Sequence, residues 1–389
     1  MVLDSRRAVI PTGAEVLVFT TESRYLPPQP AADAVTALAG KLPAFPLVVY
    51  KKIDSTLRGH PGLELMALMD ALHSSVALVA PAFPAQGRTA VAGQLLVRGQ
   101  PLGQTVFAAQ AASGDLYRVF AQPNRAVSAV TLDDVRLGAV HVAELLNRTN
   151  ECVCIADAET EADLLVLAQA AMTAPSQAPV LCGSAGLAHA LAEVIPPAVV
   201  QPPAFESRRH GPLLVIAGSR HPATVAQVET ARQRGVSVVQ ASVEFVYGSE
   251  SAGATAAAEL VQAAAEALTA GRDVIVTTAR TPDSPLGAGS IASRLGEVVA
   301  QLQEQFQVGG LVLTGGDIAA AVCAALEAHS LQLLGEVQPG IALGCLADGA
   351  CAGLAVVTKA GGFGNDCALI DALAALHHLQ TRTRPEQPG

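Results

Sequence analysis

The sequence predicts an α/β protein of two domains, each a mostly parallel sheet flanked by helices, with a ligand cleft between them. Three observations carry that expectation. Short apolar runs alternate with longer helical stretches along most of the chain, the pattern of parallel strands joined by crossover helices. At 389 residues the chain exceeds one typical domain and is long enough to bury two cores. A segment with two proline pairs, Pro196-Pro197 and Pro202-Pro203, interrupts the alternation where no helix or central strand can absorb it. The expected domains are therefore 1–195 and 212–379, with a linker over 196–211 and a flexible tail over 380–389.

In the first half, strands are expected at Leu47–Tyr50, Val76–Ala80, Cys152–Ala156 and Pro179–Cys182, with helices at Pro61–His73, Thr160–Ala171 and Gly186–Val194. The run Val16–Phe19 also reads as a strand. The Gly-rich stretch from Gln86 to Val130 breaks the rhythm, which implies a lobe or hairpin excursion. In the second half, strands are expected at Leu213–Ala217, Val236–Gln240, Asp273–Thr277, Gly310–Leu313 and Leu354–Thr358. Helices fit at Ala223–Arg234, Ala254–Ala270, Ile291–Phe306, Ile318–Ala328 and Asp366–His378.

Hydrophobic residues make up 51% and charged residues 15%, a balance that suits helices packed on buried sheets. The formal charge of −10 and pI near 5.4 argue against nucleic acid as a partner, because phosphate-backbone binding needs a basic surface. Seven scattered cysteines fit no disulfide framework, and Cys152-Val-Cys154 lacks zinc or thioredoxin spacing, so reduced buried thiols are expected. No apolar run has the length of a membrane span, and a cytoplasmic protein is expected. The Ala-rich, weakly charged helices suit either a homodimer face or internal packing.

The densest polar cluster is Lys52-Ile-Asp-Ser-Thr-Leu-Arg-Gly59, directly after an expected strand and before the helix opened by Pro61. Open α/β sheets bind ligands at that edge. Lys52 and Arg58 flanking Asp54, Ser55 and Thr56 suit a small, hydroxylated, anionic substrate, since a guanidinium grips a carboxylate and short hydroxyls read its OH groups. Arg24, in Thr21-Glu-Ser-Arg24, and Arg88, in Pro81-Ala-Phe-Pro-Ala-Gln-Gly-Arg88, also follow apolar runs; either serves the same crevice or an ordinary solvated or rigid turn.

Three second-half strands end in glycine-bearing loops: Gly218-Ser219-Arg220-His221, Thr314-Gly315-Gly316-Asp317 and Lys359-Ala360-Gly361-Gly362-Phe363-Gly364. Glycines let backbone N–H groups approach a phosphate, and the helix that follows adds a favourable dipole. One such loop more often provides only steric relief; three together read as a nucleotide cradle. Asp317 either helps hold Mg²⁺ or caps its helix. No P-loop and no G-x-G-x-x-G fingerprint occurs, and Gly183-Ser-Ala-Gly reads as packing rather than a nucleophile elbow.

These motifs, in this order, resemble the four-carbon acid sugar kinases, two-domain enzymes that phosphorylate threonate, erythronate or their oxo derivatives. The resemblance implies a first domain that binds the sugar acid and a second that binds ATP. Its candidate catalytic residues are Asp54, Lys52 and Arg58, with Arg24, Ser55, Thr56, Arg58 and Arg88 on the substrate. The nucleotide side comprises Ser219, Arg220, Thr314, Gly315, Gly316, Asp317, Lys359, Gly361, Gly362 and Gly364, with ATP and Mg²⁺ as cofactors. Arg58 and Arg24 would hold the carboxylate, and Asp54 would orient or deprotonate the accepting hydroxyl. The family usually opens with D-D-L-T-G-A, absent here, so a truncated start is expected; Ile318 stands where the family commonly has Thr. The competing reading is a non-catalytic acid-sugar or nucleotide-binding protein.

Overall fold

The computed structural model describes residues 1–3, 14–42, 48–109, 111, 113–121, 125–148, 152–173, 179–196, 209–219, 221–278 and 288–382. The chain forms two compact units, Thr21–Val199 and Met1–Thr20 together with Val200–Gly389. In the first unit the strands are β1 (Tyr50–Lys52), β2 (Val76–Ala80), β3 (Arg88–Val91), β4 (Gln94–Val97), β5 (Gln100–Pro101), β6 (Ala126–Val130), β7 (Cys152–Ala156) and β8 (Val180–Gly183). Its helices are α1 (Pro28–Ala39), α2 (Pro61–Ala71), α3 (Leu116–Phe120), α4 (Leu132–Arg136), α5 (Ala139–Arg148), α6 (Glu161–Thr173) and α7 (Ala185–Val194).

Five strands pair in parallel in the order β1-β8-β2-β7-β6. β2 and β7 are buried along their whole length, which is why they read as unbroken apolar runs rather than alternating ones. The expected excursion after Gln86 is an antiparallel sheet, β3-β4-β5. Its two turns, Ala92-Gly93 and Arg98-Gly99, have positive φ at both central residues, the geometry that matches strand twist in a two-residue hairpin. Buried Asp157 pins the first turn, accepting the N–H groups of Ala92 and Gly93 at 2.8 and 2.9 Å.

The second unit contains β9 (Leu213–Ala217), β10 (Ser237–Gln240), β11 (Val274–Thr277), β12 (Gly310–Thr314), β13 (Leu331–Gln338), β14 (Ile341–Leu346) and β15 (Ala355–Lys359). Between them lie α8 (Pro222–Gln233), α9 (Val243–Tyr247), α10 (Glu250–Thr269), α11 (Ala288–Phe306), α12 (Gly316–Ala325) and α13 (Ala368–Arg382). The sheet order is β10-β11-β9-β12-β15-β14-β13, parallel through β15 and antiparallel beyond it. Residues of α8 and α13 pack on one face of the sheet, and those of α9 to α12 on the other. The connections leave neighbouring, parallel β9 and β12 in opposite senses: β9 leads through α8 to β10 on one side of the sheet, and β12 through α12 to β13 on the other. The carboxyl ends of these two strands are therefore the topological switch point, where open sheets hold ligands.

Three expectations need correction. The β13–β14 hairpin was not anticipated, because β13 is a half-exposed edge strand with register shifts around Gly335 and lacks a continuous apolar run. Val16–Phe19 forms no ladder strand among the described residues; Phe19 makes only an isolated bridge to Val2, and a 3₁₀ turn over Ser23–Tyr25 follows. Val2 is held within the second unit: Met1 and Leu331 exchange hydrogen bonds of 2.5 and 2.7 Å, and Leu3 N donates to His329 O at 2.8 Å. At the other end α13 runs through Gln380, where a loose tail was expected. Gln380 is buried and its side chain donates to Gly211 O at 3.2 Å. Most of the proline-paired segment, 197–208, lies outside the described residues.

All seven cysteines are free thiols and six are buried. Burial pushes the Cys182 thiol up to about 12. Among the described residues, no helix is long and apolar enough to cross a membrane.

Candidate functional sites

In the first unit, the loop leaving β1 wraps its polar side chains around the carboxylate of Asp54. Arg58 donates to Oδ2 from Nη2 at 2.6 Å and from Nε at 3.1 Å, and Arg24 Nη2 approaches the same oxygen at 3.5 Å. Oδ1 accepts the Thr56 hydroxyl at 2.5 Å and the Thr56 N–H at 2.8 Å. Both oxygens are thus occupied. Burial pushes the Asp54 carboxyl up, but the hydrogen bonds from Arg58 and Thr56 and the Arg58 charge outweigh it and hold the group at about 2.

The exposures show which way the cluster faces. The Asp54 side chain is only 13% exposed, whereas Arg58 retains 32% and Arg24 48%. Cationic groups are presented outward by a carboxylate kept behind them. The Lys52 ammonium donates to Ile53 O at 3.0 Å, and desolvation lowers its pKa against the opposing pull of Asp54. Three cations around one carboxylate leave a net positive site, suited to an organic acid.

Local geometry explains how Arg24 joins a loop more than 30 residues away in sequence. Gly59 has φ +83°, a left-handed turn that favours glycine, and it packs in van der Waals range of the Arg24 backbone. His60 meets Leu26 O at 3.0 Å and ties the same two segments. Ser55 makes no side-chain hydrogen bond among the described residues. Arg88 makes no hydrogen bond or ion pair with the Asp54 cluster among the described residues; its guanidinium lies 5.8 Å from the Phe107 ring centroid and donates to Gln86 O. The segment beneath it reaches the cluster indirectly, since Ala111 bridges Arg58. Ser184 is buried, donating to Ala82 O at 2.6 Å and capping α7, as a packing role requires.

In the second unit, the three glycine-bearing loops converge at the switch point. A Cβ on Gly361 would lie 2.2 Å from Ser219 Oγ, and one on Gly362 would lie 3.1 Å from the His221 ring, so glycine at these positions leaves room for Ser219 and His221 where the loops after β9 and β15 meet. Gly315, with φ +107°, donates its N–H to Lys359 O at 2.8 Å and joins the β12 and β15 loops. α12 then begins without a side-chain cap, and the space beside Gly316 is open. Its first-turn N–H groups and dipole favour an anion there.

Asp317 is exposed in the first turn of α12 and makes no side-chain hydrogen bond among the described residues. Thr314 is fully buried and its hydroxyl has no partner among the described residues, and Ile318 packs into the core against Gly218. Lys359 is 3% exposed, and desolvation lowers its ammonium to about 8. Arg220 lies outside the described residues. Sequence reasoning missed Thr224 and Gln227 of α8, both fully buried behind the β15 loop. Their signal was two polar residues in the buried stripe Thr224, Gln227, Val228 and Ala231, at helical spacing where apolar residues are the rule.

Comparison with known proteins gives a family match for each half of the chain. A family model described as a sugar-binding N-terminal domain matches residues 2–191, and one described as a nucleotide-binding C-terminal domain matches residues 214–369. The chain is 38% identical to a D-threonate kinase of Salmonella typhimurium, over 94% of this chain and 90% of that one. It is 30% identical to a D-erythronate kinase of Heliobacterium modesticaldum (96% and 90% covered) and 29% identical to a 3-oxo-tetronate kinase of Cupriavidus necator (93% and 87%). Crystal structures of a Haemophilus influenzae protein and of a Salmonella typhimurium protein called a putative tRNA synthase share the fold. Their TM-scores are 0.75 and 0.78, at 22% and 21% identity, with 92% and 95% of this chain and 89% and 91% of those chains covered.

Proposed function

The chain belongs to the four-carbon acid sugar kinases, and from that premise we propose that it transfers the γ-phosphoryl group of ATP to a hydroxyl of a tetronate or oxo-tetronate. The observation that carries this reading is the outward-facing cluster of Arg24, Lys52 and Arg58 over the Asp54 carboxylate, the complement of a short hydroxylated acid.

Arg58 binds the substrate carboxylate, with Arg24 as the more exposed second grip, and Ser55 is the free hydroxyl available to the acid's OH groups. Asp54 suits orientation better than deprotonation. A carboxylate held at about 2 and saturated with donors is a poor proton acceptor at neutral pH. That is compatible with phosphoryl transfer, whose loose transition state asks mainly for alignment and charge neutralisation. The free N–H groups at the start of α12 and in the 360–364 loop bind phosphate oxygens, and Lys359 adds positive potential behind them.

Mg²⁺ supplies charge neutralisation on the phosphates when bound. The residues fit it: Asp317 offers one hard oxygen, and no group of three His, Cys, Asp or Glu side chains able to hold a metal occurs among the described residues. An ion arriving with the nucleotide matches that arrangement, because Mg²⁺ keeps waters and phosphate oxygens and takes few protein ligands. A cytoplasmic setting suits both the ATP and the reduced thiols.

Purified protein incubated with Mg·ATP and a panel of D-threonate, D-erythronate and 3-oxo-tetronates should release ADP and yield an acid heavier by one phosphoryl group. Binding of acid and nucleotide without a phosphorylated product from any member of the panel would replace this reading with a non-catalytic binding protein.

A further inference from the structure

Behind the β15 loop lies a set of buried polar side chains, Thr224, Gln227 and Lys359, of which the first two have no part in the proposed reaction. The Gln227 amide, fully buried, donates from Nε2 toward Asn365 O at 2.9 Å, Phe363 O at 3.0 Å and Gly364 O at 3.3 Å. Thr224 donates from its hydroxyl to Gly361 O at 2.7 Å. Lys359 Nζ donates to Ala360 O at 3.1 Å and Gly361 O at 3.4 Å, and forms no ion pair among the described residues. Five carbonyls between Ala360 and Asn365 are therefore drawn toward three side chains on one side of the loop.

A trans peptide points its N–H opposite to its C=O. With the carbonyls of Ala360, Gly361 and Phe363 held back, the N–H groups of Gly361, Gly362 and Gly364 face the other way. These three make no hydrogen bond among the described residues, whereas Phe363 N donates to Ala360 O at 3.1 Å and Asn365 N to Gln338 Oε1 at 3.1 Å. Successive free N–H groups in a turn form the concavities that bind anions, and Gly361 and Gly362 lie against Ser219 and His221.

We propose that Thr224, Gln227 and Lys359 are positioning residues for nucleotide phosphate: they restrain the carbonyls of the 360–365 loop so that the N–H groups of Gly361, Gly362 and Gly364 stay free for phosphate oxygens. This rests on the nucleotide-binding reading of the second unit and adds to it the residues that shape the phosphate seat from behind.

The test is calorimetric titration of ATP and of adenosine into wild type, Thr224→Ser, Thr224→Val and Gln227→Met, with melting temperatures to confirm folding. Thr224→Val and Gln227→Met should weaken ATP binding ~10-fold or more while adenosine affinity stays within about twofold, because only the phosphate contacts are disturbed. Thr224→Ser, which keeps the hydroxyl, should restore ATP binding. If Gln227→Met fails to fold, the Ser and Val pair at position 224 decides alone. ATP binding by Thr224→Val equal to wild type, or parallel losses of ATP and adenosine, would overturn the inference while leaving the kinase reading intact. Failure of wild type to bind ATP would overturn that reading, and the inference with it.

Discussion

The two candidate sites solve anion recognition in opposite ways. In the proposed reading, charged side chains of the first unit would do the binding, and one shielded carboxylate arranges them. In the second, the backbone would do the binding, with buried side chains proposed to arrange it from behind. The difference follows from the ligands each would hold. A short sugar acid offers one carboxylate and a few hydroxyls, which guanidinium and hydroxyl groups read with geometric selectivity. A polyphosphate offers many equivalent oxygens, which N–H groups in glycine turns approach more closely than side chains would allow.

If backbone proximity governs the second site, Gly361→Ala should have the largest effect. Its Cβ would fall 2.2 Å from Ser219 Oγ and 3.0 Å from Ser219 Cβ, so the hydroxyl must rotate away and the two loops must separate slightly. ATP affinity should drop ~30- to 100-fold by calorimetry with sugar-acid affinity unchanged.

If one carboxylate arranges the first site, Asp54→Asn should weaken sugar-acid binding ~10-fold and lower stability by about 2 kcal/mol at neutral pH. The sign follows from the folded group being held at about 2, below its ordinary value of 3.8. Its stabilisation is complete above pH 4 or so and is lost as pH falls toward 2. Denaturant melts of wild type and variant should therefore converge over that acid range.

Lys359 separates binding from stability. Its pKa is lowered to about 8 from 10.5, so above pH 8 the charge behind the phosphate loop disappears while the cost of burying it is relieved. ATP affinity should fall on the order of fivefold between pH 7 and pH 9.5, and stability should rise over the same range. Both slopes should flatten in Lys359→Met. The smallest effect is expected from Ser55→Ala, a loss of about threefold or less in sugar-acid affinity, as befits a single neutral hydrogen bond.

The same contrast explains what was legible in the sequence. Where side chains are themselves the binding groups, as at Lys52, Asp54, Thr56 and Arg58, the cluster stands out in a row of residues. The glycine loops were visible too, since few other residues tolerate those turns. Thr224 and Gln227 escaped notice because polar residues inside a helix look like a solvated face until burial is known. The pKa of Asp54 was equally hidden: residue type leaves orienting and deprotonating both open, and only the hydrogen bonds that Arg58, Thr56 and Arg24 donate to the carboxylate favour the first. The seating of Val2 against residues 18–20 and 329–331 rests on long-range backbone hydrogen bonds that no local pattern announces.

The most direct test of the division between the sites is calorimetry on Arg58→Ala with each ligand in turn. Removing the guanidinium should weaken a tetronate the wild type phosphorylates by ~30-fold or more and leave ATP within about twofold. Equal losses for both ligands, or a loss confined to ATP, would contradict the assignment of the acid to the arginine cluster of the first unit.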